Sequence, residues 1–161
     1  MAEPRRILFV CTGNIIRSPL AENLFRHLAE AAGLNGKYEV DSAGTGGWHE
    51  GESPDPRMRR TAARHGLVYD GEARQIRLSD FDKFDLIVAM DAENRRELRS
   101  RTRIPEQAHK IRLLREFDPA SGPNDSVPDP YYGGDEGFET TYGIVEAGVQ
   151  GLLQALEGGR A

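Results

Sequence analysis

Residues 7–28 constrain the fold of this chain more than any other stretch. Ile7-Leu8-Phe9-Val10 is an apolar run of the kind a buried parallel strand carries. Leu20, Leu24 and Leu28 then recur at every fourth residue, the spacing of one helical face. Between them lies Cys11-Thr12-Gly13-Asn14-Ile15-Ile16-Arg17-Ser18-Pro19. Ser18 suits the N-cap of the helix, with Pro19 at its first position, where a missing N–H costs nothing. A strand, a tight loop and a helix in that order predict an α/β sheet with a loop at its carboxyl edge.

Such a loop suits a phosphate. Its backbone N–H groups point into one concavity, and the helix start adds partial positive charge. Gly13 eases steric limits, and Asn14 is one of the few non-glycine residues that tolerates positive φ. Arg17 offers a planar fork of donors to two phosphate oxygens. Cys11 sits at the floor, where donors, dipole and Arg17 all favour the thiolate, the nucleophilic form. A thiolate in a phosphate cradle implies phosphoryl transfer through a cysteinyl-phosphate. A lone cysteine with an arginine six residues on is a weak signal, and a small buried hydrophobe is its bland reading. The whole string from strand to helix lifts it.

At residues 10–19 the sequence resembles the low-molecular-weight protein tyrosine phosphatases, whose signature reads V-C-x-G-N-x-C-R-S-P. The match fails only at Ile16, where most members carry a second cysteine. Further resemblance runs through Asp41–Thr45, Trp48-His49, Pro54–Arg57, Arg64–Gly66, Ala73–Ile76, Met90-Asp91 and Asp129–Gly133. It implies a single domain over 1–161 with a four-stranded parallel sheet of order 2-1-3-4 and helices on both faces. The phosphate-binding loop would follow strand 1.

The bulk properties agree with a one-domain enzyme. The chain has 161 residues, 38% hydrophobic and 29% charged, enough for a real core. No apolar run approaches the roughly 20 residues of a membrane span. Residues 1–6 lack a signal-peptide pattern, and one cysteine excludes a disulfide framework, so a cytoplasmic location is expected. The net charge of -5 argues against nucleic-acid binding. No membrane insertion is expected, and monomer or weak self-association is. His27, His49 and His109 show no metal spacing, so neither metal nor cofactor is assigned. Arginines cluster at Arg57, Arg59, Arg60 and Arg64 and again at 95–103, where the default reading is a solvated helix face.

The rest of the chain alternates strands and helices. Tyr38–Ser42 reads as a second strand, with 43–47 as loop. Asp55 caps a helix that opens on Pro56, reaches about His65 and ends at Gly66. A short extended piece falls at 74–76 and a helical turn at 79–84. Leu86–Met90 is the clearest interior strand, and Asp91 caps a helix to about Ser100. Lys110–Leu114 reads as the fourth strand. A long loop from Phe117 to Gly134 holds four prolines. A last helix runs from about Gly137 to Glu157, with Phe138, Tyr142, Val145, Val149 and Leu152 on one face.

A phosphate ester also needs an acid for its leaving oxygen, and the long loop offers Asp118, Asp125, Asp129 and Asp135. Flanking prolines and the adjacent Tyr131-Tyr132 favour Asp129, with a plain Asx-turn as the bland alternative. The resemblance implies Asp129 as general acid and then base, and Ser18 as stabiliser of the thiolate. It also implies that Asn14, Ser42 and His65 support the loop; by pattern alone His65 is a helix-end residue. Trp48, Tyr131 and Tyr132 are the expected cleft walls, and Thr12, Gly13, Ile15 and Ile16 complete the loop. Deep aromatic walls favour phosphotyrosine, so tyrosine-phosphorylated proteins are the expected partners. Members acting on phosphoarginine tend to carry threonine at the place of Ile15. A phosphoarginine phosphatase, a phosphate-carrying transferase subunit, an arsenate reductase and a non-catalytic phosphotyrosine-binding module are the rival readings.

Overall fold

A computed structural model describes residues 3–122 and 124–161; Pro123 of the long loop and residues 1–2 lie outside them. Four strands form one sheet: β1 (Arg5–Cys11), β2 (Tyr38–Gly44), β3 (Leu86–Ala89) and β4 (Ile111–Leu113). All neighbours are parallel and the order is β2-β1-β3-β4. β1 is central because Ile7 to Val10 can be buried on both faces, and all four are fully buried. Alternate residues then serve two cores. Ile7, Phe9 and Cys11 face one cluster, and Leu8 and Val10 face the other.

The first cluster is filled by α1 (Arg17–Ala31), α2 (Pro56–Arg64) and α6 (Asp135–Glu157). Leu20 and Leu24 contribute from α1, and the expected α6 stripe from Phe138 to Leu152 is wholly buried. Each large side chain removed from water there is worth roughly 1.5–3 kcal/mol. The opposite face is covered by α3 (Asp80–Lys83) and α4 (Ala92–Arg101), through Phe81 and Leu98.

Several boundaries differ from the sequence reading. β2 continues two residues past Ser42, because it stays in register with β1 as far as Gly44 opposite Cys11. α1 begins two residues before Pro19, and its N-cap position, Ile16, makes no side-chain cap. β4 is only three residues long and runs into a 3-10 turn at Leu114–Phe117. A short helix, α5 (Pro105–His109), went unread because a proline-led turn of five residues carries no apolar period. Asp55 and Asp91 cap α2 and α4 as expected, accepting from Arg57 N at 2.8 Å and Asn94 N at 2.7 Å. β1, β2 and β3 thus end together, beside the point where the chain order reverses, and the Cys11 loop leaves from there.

Candidate active site

Cys11 is the last residue of β1 and Arg17 the first of α1, so five loop residues must turn the chain between them. Asn14 takes the strained step, with φ of 58°, the one positive-φ non-glycine among the described residues. Three hydrogen bonds hold it there. Its Nδ2 donates to Ser18 Oγ at 2.8 Å and to Ser42 Oγ at 3.0 Å, and its Oδ1 accepts from Arg74 N at 3.0 Å. Every polar atom of that buried amide is used. The Ser42 hydroxyl donates in turn to Glu22 Oε1 at 2.6 Å. Arg74 is braced by Asp80 at 2.9 Å and Asp41 at 3.1 Å. Gly13 leaves little room: a Cβ there would stand 3.0 Å from the His49 ring, which would have to shift to admit it.

Ser18 is not the helix cap expected from its position. Its hydroxyl lies 2.9 Å from Cys11 Sγ. The same hydroxyl has one proton and a second acceptor, the Ala43 carbonyl, at 3.4 Å. With Asn14 donating to Ser18, the one proton of Ser18 goes either to the sulfur or to the Ala43 carbonyl, so the hydroxyl can donate to a Cys11 thiolate or accept from a thiol. The sequence spacing could not choose, because cap and sulfur partner call for the same residue type.

Arg17 is 2% exposed, which a guanidinium tolerates only with most of its donors answered. Nη1 donates to Asp91 Oδ2 at 2.7 Å and to the Val127 carbonyl at 2.9 Å. Nη2 donates to Thr12 Oγ1 at 3.2 Å, and Asn94 Nδ2 donates to the same oxygen at 3.1 Å. Asp91 therefore does two things, capping α4 and fixing Arg17. Among the described residues Arg17 Nε has no acceptor, so the Nε–Nη2 edge is the one open to a ligand. Burial works against this cation, but the Cys11 sulfur, Asp91 and Asp129 outweigh it and hold its pKa above the ordinary range.

Above the loop opens a cleft of about 300 Å³ lined by Cys11, Thr12, Gly13, Ile15, Ile16, Arg17, Trp48, His49, Asp129, Tyr131 and Tyr132. All three expected aromatic walls are therefore on it. Trp48 and Tyr132 stand at the rim, 71% and 96% exposed. Asp129 Oδ2 lies 3.6 Å from Arg17 Nη2, and Asp129 Oδ1 accepts from Tyr131 N at 3.1 Å. The Asx-turn and the cleft-facing carboxylate are the same residue.

His65 is elsewhere. It follows the end of α2, pairs with Glu139 of α6 at 2.7 Å and stacks on Tyr142 at 4.1 Å between centroids. It makes no hydrogen bond to Asn14 or Ser42 among the described residues; Glu22 and Arg74 occupy the supporting positions instead. Sequence pattern points to neither of them, nor to His49 as a cleft residue, although His49 lines the cleft.

The chain and this geometry have known relatives. Residues 6–160 match the model of the low molecular weight phosphotyrosine protein phosphatases. The low molecular weight protein-tyrosine-phosphatase of Streptomyces coelicolor is 53% identical, over 94% of this chain and 93% of that protein. Among solved structures, a protein tyrosine phosphatase from Entamoeba histolytica superposes with a TM-score of 0.92 at 39% identity, covering 98% of this chain and 99% of the other. A Drosophila arginine phosphatase superposes with a TM-score of 0.86 at 34% identity, covering 94% and 97%.

Proposed function

Because the chain belongs to the low molecular weight phosphotyrosine protein phosphatase family, we propose that it hydrolyses phosphotyrosine in proteins through a cysteinyl-phosphate. Cys11 is the nucleophile, Arg17 the phosphate clamp and Asp129 the acid and base. The observation that carries this reading is the Cys11 sulfur at the floor of the cleft, 2.9 Å from Ser18 Oγ, with Arg17 and Asp129 beside it.

The substrate phosphate enters the loop, its oxygens meeting the loop N–H groups and the Nε–Nη2 edge of Arg17. The sulfur attacks phosphorus from the floor. The S–P bond forms as the P–O bond to tyrosine breaks, and Asp129 gives its proton to the departing phenolate. Ser18 has meanwhile stabilised the thiolate and, in the second step, stabilises it again as a leaving group. Water then attacks phosphorus, its proton goes to Asp129, and the S–P bond breaks to release phosphate and free thiolate. The chain's single thiol suits a reducing compartment such as the cytoplasm.

Phosphotyrosine fits the cleft better than shorter esters, since the phosphate must pass Trp48 and Tyr131 to reach the floor. The likeness to an arginine phosphatase gives phosphoarginine a claim as second substrate. Ile15 opposes it: a guanidinium needs acceptors, and this cleft-lining side chain offers none. The test is kcat/KM on peptides carrying phosphotyrosine, phosphoserine or phosphoarginine at one position. Phosphotyrosine should lead, and a lead for phosphoarginine would reverse the assignment.

A further inference from the structure

The segment that carries Asp129 is tied to the rest of the molecule sparsely. Of residues 129–133, only the Tyr131 carbonyl is hydrogen-bonded to another element among the described residues, and its donor is Arg57 Nη1 at 2.9 Å. The other hydrogen bonds of this stretch are local, Tyr131 N to Asp129 and Gly133 N to Pro130 O.

Arg57 is itself aimed by Asp55. Nε and Nη2 grip the two carboxylate oxygens of Asp55 at 3.1 and 2.9 Å, a bidentate pair that fixes the guanidinium plane. The remaining nitrogen, Nη1, then points at Tyr131. The same cation lies over the Phe138 ring at 4.7 Å and the Tyr131 ring at 5.4 Å. Asp55 in turn donates its backbone N–H to the Ile15 carbonyl at 2.8 Å, which is the phosphate loop. An unbroken path therefore runs Ile15, Asp55, Arg57, Tyr131, Asp129. Capping α2 needs the Asp55 carboxylate alone and leaves the reach of Arg57 across to Tyr131 unexplained.

We propose that Arg57 is a positioning residue for Asp129, coupling the phosphate loop to the acid-bearing loop through Asp55 and the Tyr131 carbonyl. The inference rests on the phosphatase reading and adds a residue to it. Arg57 touches neither phosphate nor the reacting atoms. Its task is to hold the Asp129 carboxyl where the leaving oxygen will be, while leaving phosphate binding to the loop itself. Lysine cannot replace it, since one ammonium lacks the fork that grips Asp55 and reaches Tyr131 together.

The test is steady-state turnover of two substrates, phenyl phosphate with a poor leaving group and 2,4-dinitrophenyl phosphate with a good one. Proteins are wild type, Arg57→Ala, Asp129→Ala and the double variant, with inhibition by inorganic phosphate as the reading of the loop. Arg57→Ala should lose about ten- to a hundredfold in kcat/KM on phenyl phosphate, the scale of a misplaced group in the leaving-group step. It should lose far less on the dinitrophenyl ester, and phosphate inhibition should hold. In the Asp129→Ala background the Arg57 effect should vanish. An equal Arg57 loss with and without Asp129, or no loss on phenyl phosphate, would overturn the inference. Should Arg57→Ala not fold, Arg57→Lys carries the same test, and full activity in it overturns the inference too. Wild type without turnover would instead sink the phosphatase reading, and Asp129→Ala equal to wild type would remove Asp129 as the acid, each taking this inference with it.

Discussion

The two loops that meet over Cys11 are built in opposite ways. In the phosphate loop Asn14 is 3% exposed, spends every donor and acceptor, and is backed by Ser42, Glu22 and Arg74. In the acid-bearing loop Asp129 is 46% exposed and Tyr132 is 96% exposed. One carbonyl links that stretch to Arg57. The contrast fits the two tasks proposed for these loops. A cradle of N–H groups must keep its shape with or without phosphate, since buried donors are costly to rearrange. A general acid must remain wet enough to exchange its proton and reach different leaving groups.

Substitutions can break or sharpen that contrast. The largest effect should come from Cys11→Ser, which should abolish phosphate release while leaving the cradle able to bind inorganic phosphate or vanadate in a calorimeter. Loss of anion binding together with turnover would mean the cradle depends on the sulfur. Asp129→Ala should slow aryl phosphates with poor leaving groups by about 10²–10⁴-fold, the usual worth of a positioned acid. Its thermal midpoint should stay near that of wild type, because the side chain is half exposed. Equal rates in variant and wild type would remove Asp129 from the chemistry.

Asn14→Ala should show the reverse balance of stability and chemistry. It strips three buried hydrogen bonds and leaves an alanine at positive φ, together costing about 2–4 kcal/mol in a urea titration. Anion affinity should fall with it. A stability loss below about 0.5 kcal/mol would show that the loop holds without this residue. The smallest effect is expected from His65→Gln. Its partners lie on α6, so kcat and phosphate inhibition should be unchanged. A large fall in kcat would restore it to the loop network.

Much of this was legible in the sequence, for a physical reason. The apolar run of β1, the loop string and the leucine spacing of α1 are local patterns, and each dictates backbone geometry within a few residues. The positive φ of Asn14 follows from residue type. Asp129 stood out because prolines on both sides and paired tyrosines are local as well. Interactions that close over long sequence separations left no such trace. Glu22 meets Ser42 across 20 residues, and Arg74 meets Asn14 across 60. Arg57 sits in an arginine cluster that reads as a solvated face. Only the fold turns its guanidinium inward to Asp55 and Tyr131. Ser18 failed as a cap for a related reason: a hydroxyl at a helix start has two eligible partners, and only packing selects the sulfur.

In the proposed reaction, a sulfur held in a pocket of main-chain donors takes phosphorus from the substrate. Rapid quenching of wild type during turnover of p-nitrophenyl phosphate, followed by intact-protein and peptide mass spectrometry, tests it most directly. The peptide containing Cys11 should carry about 80 Da of added phosphoryl mass, and Asp129→Ala should accumulate more of it. Release of phosphate at full rate with Cys11 never modified would contradict it.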